Sequence, residues 1–146
     1  MFDGFFEYEG SGLGRTGERY ALSDRTGREV LAWSACENHK EGRVQPGSTV
    51  MVVQASEAFS RAHVEQAPEL YVPLLRKELE RCWELEGAFL KNTFAHRWRY
   101  ARSLELGSYP PLPAGVEVCG DGLVRSRIED VYMSGVAAAE RVLRAC

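Results

Sequence analysis

Hydrophobic and polar positions alternate in the first third of the chain and then change period. Residues 2–9, Phe-Asp-Gly-Phe-Phe-Glu-Tyr-Glu, are aromatic-rich with interspersed acids, a pattern that predicts a strand. Residues 20–22 and 30–35 are β-prone runs either side of Asp24-Arg-Thr-Gly27, a turn former, so a hairpin is expected. Residues 40–47 form a polar loop ending in Pro46-Gly47, and residues 49–54, with Val50, Val52 and Val53, make the strongest strand by β-branched content. The period then lengthens. Ser56 suits the N-cap of a helix over 57–66, and Pro68 suits the opening of a longer helix from 69 to about 86. Its expected apolar stripe is Leu70, Leu74, Leu75, Leu79, Cys82 and Trp83. Residues 89–102 read as a further strand. Residues 107–115, rich in proline, read as a rigid linker, followed by a short strand at 116–119 and a final helix to about residue 144.

Strands early and helices later predict an α+β fold: a mixed or antiparallel sheet with flanking helices, then a C-terminal strand–loop–helix unit. The expected division is residues 1–106 and residues 107–146. At 146 residues the chain is one domain's worth, enough for a core of its own. A net charge of −3 gives no field for nucleic acid or an anionic membrane, so neither is expected as a partner. No apolar run approaches the roughly 20 residues of a membrane span. Cys36, Cys82, Cys119 and Cys146 are far apart, and His39, His63 and His96 share no metal-ligand spacing. No metal is expected. Reduced, structural thiols fit a reducing compartment, hence an expected cytoplasmic location, an organelle being the lesser alternative.

Three segments carry chemistry. Gly12-Leu-Gly14-Arg-Thr-Gly17 is a formal GxGxxG, with Glu37 20 residues beyond Gly17 where a ribose-binding acid would stand. Its context argues against a nucleotide site, because Glu18-Arg-Tyr20 and a turn follow where a helix is required. The expectation is a glycine-rich surface loop. His96-Arg-Trp-Arg-Tyr100 alternates cationic and aromatic side chains; on a strand, His96, Trp98 and Tyr100 share one face and Arg97 and Arg99 the other. That pattern suits stacking on a base or clamping a phosphate, and equally a strand with a buried aromatic face and a solvated basic one. The C-terminal unit is the most informative. Gly120-Asp121 ends the short strand, and Ser126-Arg-Ile-Glu129 is a capping-box pattern at the helix start. The first-turn N–H groups and the positive end of the helix dipole face a polar or anionic ligand there, and the Asp121 carboxylate accepts hydrogen bonds from hydroxyls. An ordinary capped helix after an Asp-Gly turn has the same spacing.

Cys119-Gly-Asp121, five residues, then Arg127-Ile-Glu-Asp-Val-Tyr-Met-Ser-Gly135 resembles the C-terminal flavin motif of renalase-like, FAD-dependent amine-oxidase-type oxidoreductases, whose pattern is roughly CGD-x5-RVEGAxxSG. Ala95-His-Arg-Trp-Arg-Tyr-Ala101 is similar to the same family's AHRWRYA segment. Leu31-Ala-Trp33, residues 38–43 and Val52-Val-Gln-Ala-Ser56 resemble its LxW…NSSKPGR…WVLQAS stretch. The likeness runs in order from about residue 2 to residue 143. It implies a substrate domain over residues 1–106 and, over 107–146, the terminal strand–loop–helix of an FAD-binding domain. It also implies hydride transfer from an amine or a reduced-nicotinamide-type small molecule to flavin N5, with oxygen reoxidising the flavin. Gly120, Asp121, Arg127, Ile128 and Glu129 would contact the cofactor: Asp121 the ribityl hydroxyls, and the amides of 127–129 the flavin N1/O2 edge. No residue stands out as a general base.

Two residues depart from the pattern. Asp130 replaces the glycine of RVEGA and sets a negative charge beside the helix start, and Glu41 replaces the proline of KPGR. The resemblance covers only the C-terminal half of such enzymes, without the N-terminal dinucleotide-binding βαβ unit that holds the ADP end. The expectations are therefore weak FAD binding and little or no turnover by the isolated chain. The competing expectation is a non-catalytic interaction module derived from such an enzyme, using an orphaned face for self-association or for a partner chain. A stand-alone nucleotide binder using the Gly12 loop is a third.

Overall fold

The structure is a computed structural model that describes residues 1–146 except Arg25, Arg28, Tyr100, residues 102–106, Ser126 and Cys146. It divides into two units, Met1–Arg99 and Tyr100–Cys146. Among the described residues the fold is α+β, with a five-stranded antiparallel sheet and three α-helices.

The first unit is built on β1 (Phe2–Glu9), β2 (Ala21–Ser23), β3 (Leu31–Cys36), β4 (Ser48–Ala55) and β5 (Leu90–Arg97), in the sheet order β2-β3-β4-β1-β5. Every neighbouring pair is antiparallel. Alternation in β1 buries Phe2, Gly4, Phe6 and Tyr8 on one face. The β2–β3 turn is held by Asp24, whose Oδ1 accepts from the Thr26 amide at 2.8 Å and whose Oδ2 accepts from the Glu29 amide at 3.1 Å. Helix α1 (Glu57–His63) is capped as the sequence predicts: Ser56 Oγ accepts from the Phe59 amide at 3.2 Å.

Helix α2 (Pro68–Trp83) opens on Pro68 and buries Tyr71, Leu75, Leu79 and Trp83. This corrects the predicted stripe. Leu70 and Leu74 are 61% and 42% exposed, because the contact face is centred one position later, on Tyr71. The ring of Tyr71 stacks on Phe2 with centroids 4.1 Å apart. At the far end, the Trp83 indole N–H donates to Ser34 Oγ of β3 at 2.8 Å inside the core. The helix stops earlier than expected, since Glu84 adopts the left-handed conformation at φ 55°, and the Leu85 amide that follows donates to Glu80 O at 2.9 Å.

The second unit contains helix α3 (Ile128–Ala145) and the segment before it. The strand expected at residues 116–119 does not form. Val116 and Val118 alternate as a strand would, but no second strand lies among the described residues of this unit to accept a ladder. Local bonds tie the segment instead: the Val116 amide to Pro113 O at 3.1 Å and the Gly107 amide to Gly122 O at 2.6 Å.

Candidate functional site

Three of the five residues singled out at the C-terminal unit, Asp121, Arg127 and Ile128, come together at the start of α3. Asp121, Arg127, Ile128, Val131 and Tyr132 line one open hollow of about 420 Å³. Gly120 sits at φ 131°, a conformation that a side chain resists, and turns the chain so that Asp121 lies at the rim. Its amide donates to Ser134 Oγ at 3.3 Å, pinning the turn to the second turn of the helix. The Arg141 guanidinium, 2.6 Å from the Glu117 carboxylate, fastens the helix to the same segment further along. That contact holds Arg141 above the usual arginine range.

The amides at the helix start are placed one residue later than expected. The Arg127 N–H is spent on Arg125 O at 2.7 Å, and the Arg127 carbonyl accepts the first helical bond, from Val131 at 3.0 Å. The amides left over by α-helical geometry are thus those of Ile128, Glu129 and Asp130. Arg127 lines the hollow with its amide already engaged by Arg125 O. Glu129 is exposed and does not line the hollow. The capping-box reading of Ser126 lies outside the described residues. Val131 and Tyr132 were not singled out in the sequence, although Tyr132 stands one turn after Ile128 and shares its face.

Donors from backbone amides, one carboxylate acceptor and an apolar wall of Ile128, Val131 and Tyr132 suit a planar ligand with a polar edge and a hydroxylated arm. The acidic first turn of Glu129 and Asp130 favours the helix and opposes anionic groups at the same place. Among the described residues the hollow has no glycine-lined cradle for a diphosphate.

The His96–Trp98 segment ends β5, with His96 and Trp98 on one side as period-two geometry requires and their rings 4.3 Å apart. Of the expected buried aromatic face and solvated basic face only the second forms, and Tyr100 lies outside the described residues. The aromatic side is exposed, Trp98 at 49%, and its indole N–H donates to Asp3 Oδ2 at 2.7 Å. The basic side is exposed, as expected, and is also engaged: Arg97 donates to Val64 O at 2.5 Å, and Arg99 grips both Glu65 oxygens at 2.8 and 3.0 Å. Both arginines thus strap β5 to the end of α1. Asp3 Oδ1 is buried without a hydrogen-bond partner.

The Gly12–Gly17 segment is a packing device. Residues Gly14–Gly17 form a single 3-10 turn with no α-helix after it. A Cβ on Gly14 would fall on the carbonyl oxygens of Trp83 and Glu84, so glycine is required where this loop closes over the end of α2. Arg15 pairs with Glu84, and Thr16 O is bonded by His39 Nε2 at 2.7 Å. Glu37, the acid at the ribose-binding spacing, is buried against Lys40 at 2.7 Å.

Among the described residues no group of His, Cys, Asp and Glu is arranged to hold a metal ion, and no helix is long and apolar enough to cross a membrane. No protein-family model matches the chain.

Proposed function

We propose that this chain is the C-terminal portion of a flavin-dependent oxidoreductase of the amine-oxidase type, similar to renalase, in which the hollow at the start of α3 takes the isoalloxazine and ribityl end of FAD. The observation that carries the reading is that Asp121, Arg127 and Ile128, which the CGD-x5-R likeness selects from the sequence, border one hollow at a helix start where α-helical geometry leaves the amides of Ile128, Glu129 and Asp130 without an intrahelical acceptor. Asp121 accepts from ribityl hydroxyls. The amides of Ile128, Glu129 and Asp130 point partial positive charge at the pyrimidine edge of the ring, where negative charge collects on reduction. Ile128, Val131 and Tyr132 exclude water from the ring's flank. A bound flavin would supply the hydride-accepting chemistry, from an amine or a reduced-nicotinamide-type substrate. Residues 1–106 correspond, by the same likeness, to the substrate-binding part.

With only the ring end of the cofactor held, the isolated chain binds flavin weakly, with Kd on the order of millimolar, and turns over little or nothing. Fluorescence titration with riboflavin, FMN, FAD and ADP tests this. The three flavins should bind alike and lose binding in Asp121→Ala, and ADP should not compete. Competition by ADP, or equal binding by Asp121→Ala, contradicts the assignment.

A second reading, a non-catalytic interaction module derived from such an enzyme, is favoured by the apolar side chains that α3 leaves exposed: Ile128 at 88%, Tyr132 at 70% and Leu143 at 76%.

A further inference from the structure

We draw no further inference here: the strongest candidate, the side-chain cluster of Asp3, His96 and Trp98 where β1 meets the end of β5, carries nothing, because the unpartnered Asp3 Oδ1 is itself buried out of a ligand's reach and nothing in the structure shows what covers the two exposed rings.

Discussion

The Trp83 indole N–H donates to Ser34 Oγ across 2.8 Å of fully buried core, joining the last turn of α2 to a strand 49 residues earlier in the chain. Tyr8, on the inner strand β1, reaches the same helix through its hydroxyl, 3.2 Å from Glu80 Oε1. These two polar contacts fix the rotation of α2 on a surface that is otherwise aromatic and aliphatic.

Removing one end of the first contact leaves the other stranded. Ser34→Ala should destabilise the chain by about 1–3 kcal/mol, because the indole N–H stays buried with no acceptor. Trp83→Phe in the Ser34→Ala background should cost less than the two substitutions added separately. Urea unfolding of the four proteins gives the coupling, and strict additivity would count against the bond.

The glycine loop separates a packing role from a binding role. Gly14→Ala drives a methyl group into the Trp83 and Glu84 carbonyls and should destabilise by more than about 2 kcal/mol, beyond the strain of a positive φ. Gly12→Ala meets no atom within 4 Å and should cost about 1 kcal/mol. Thermal unfolding ranks them, and equal losses would mean that Gly14 is not pressed against α2.

Tyr8 predicts behaviour in alkali. Burial first, and then the negative charge of Glu80, holds its hydroxyl well above the usual tyrosine range. A folded-state value above the unfolded one stabilises the fold below the unfolded value, and that stabilisation disappears as pH rises through and beyond it. Stability should fall above about pH 10, and Tyr8→Phe should flatten that fall. Spectrophotometric titration should find the Tyr8 phenol still protonated after the exposed tyrosines have ionised. An unchanged alkaline limb in Tyr8→Phe would remove Tyr8 as its cause.

At the candidate flavin site, Asp130 is the discordant charge. Asp130→Asn should tighten binding of reduced relative to oxidised riboflavin by about two- to fivefold, since one first-turn acid opposes negative charge on the reduced ring by about 0.3–1 kcal/mol. The gain should shrink as salt is added. A loss of affinity would show that the carboxylate takes part in binding.

The strands of the first unit were legible because each carries its own signal: alternation in residues 2–9, β-branched content in β4, and turn chemistry at Asp24. Sheet order was not, since the position of β1 between β4 and β5 depends on pairings more than ninety residues apart, such as Asp3 with His96. The same nonlocality undid residues 116–119, where Val116 and Val118 read locally as a strand and no second strand among the described residues of the unit completes it. The phase of α2 was misjudged because four leucines outweigh one tyrosine in a composition-based stripe, whereas the Phe2 ring selects Tyr71. Glu84 gave no signal at all: a non-glycine residue enters the left-handed region where the buried Leu85 and the Arg15 ion pair hold it. At the candidate site the sequence identified Asp121, Arg127 and Ile128. It could not show that the Arg127 amide would be taken by Arg125 O, which moves the uncommitted donors to Ile128–Asp130.

The central claim is that α3 and Asp121 form the ring-and-ribityl half of a flavin site. Riboflavin titration of the full chain, followed by quenching of flavin fluorescence and repeated with excess ADP and with Asp121→Ala, tests it most directly. Saturable binding that ADP leaves unchanged and Asp121→Ala abolishes is the predicted result. No binding at millimolar riboflavin, or binding that ADP displaces, would contradict it.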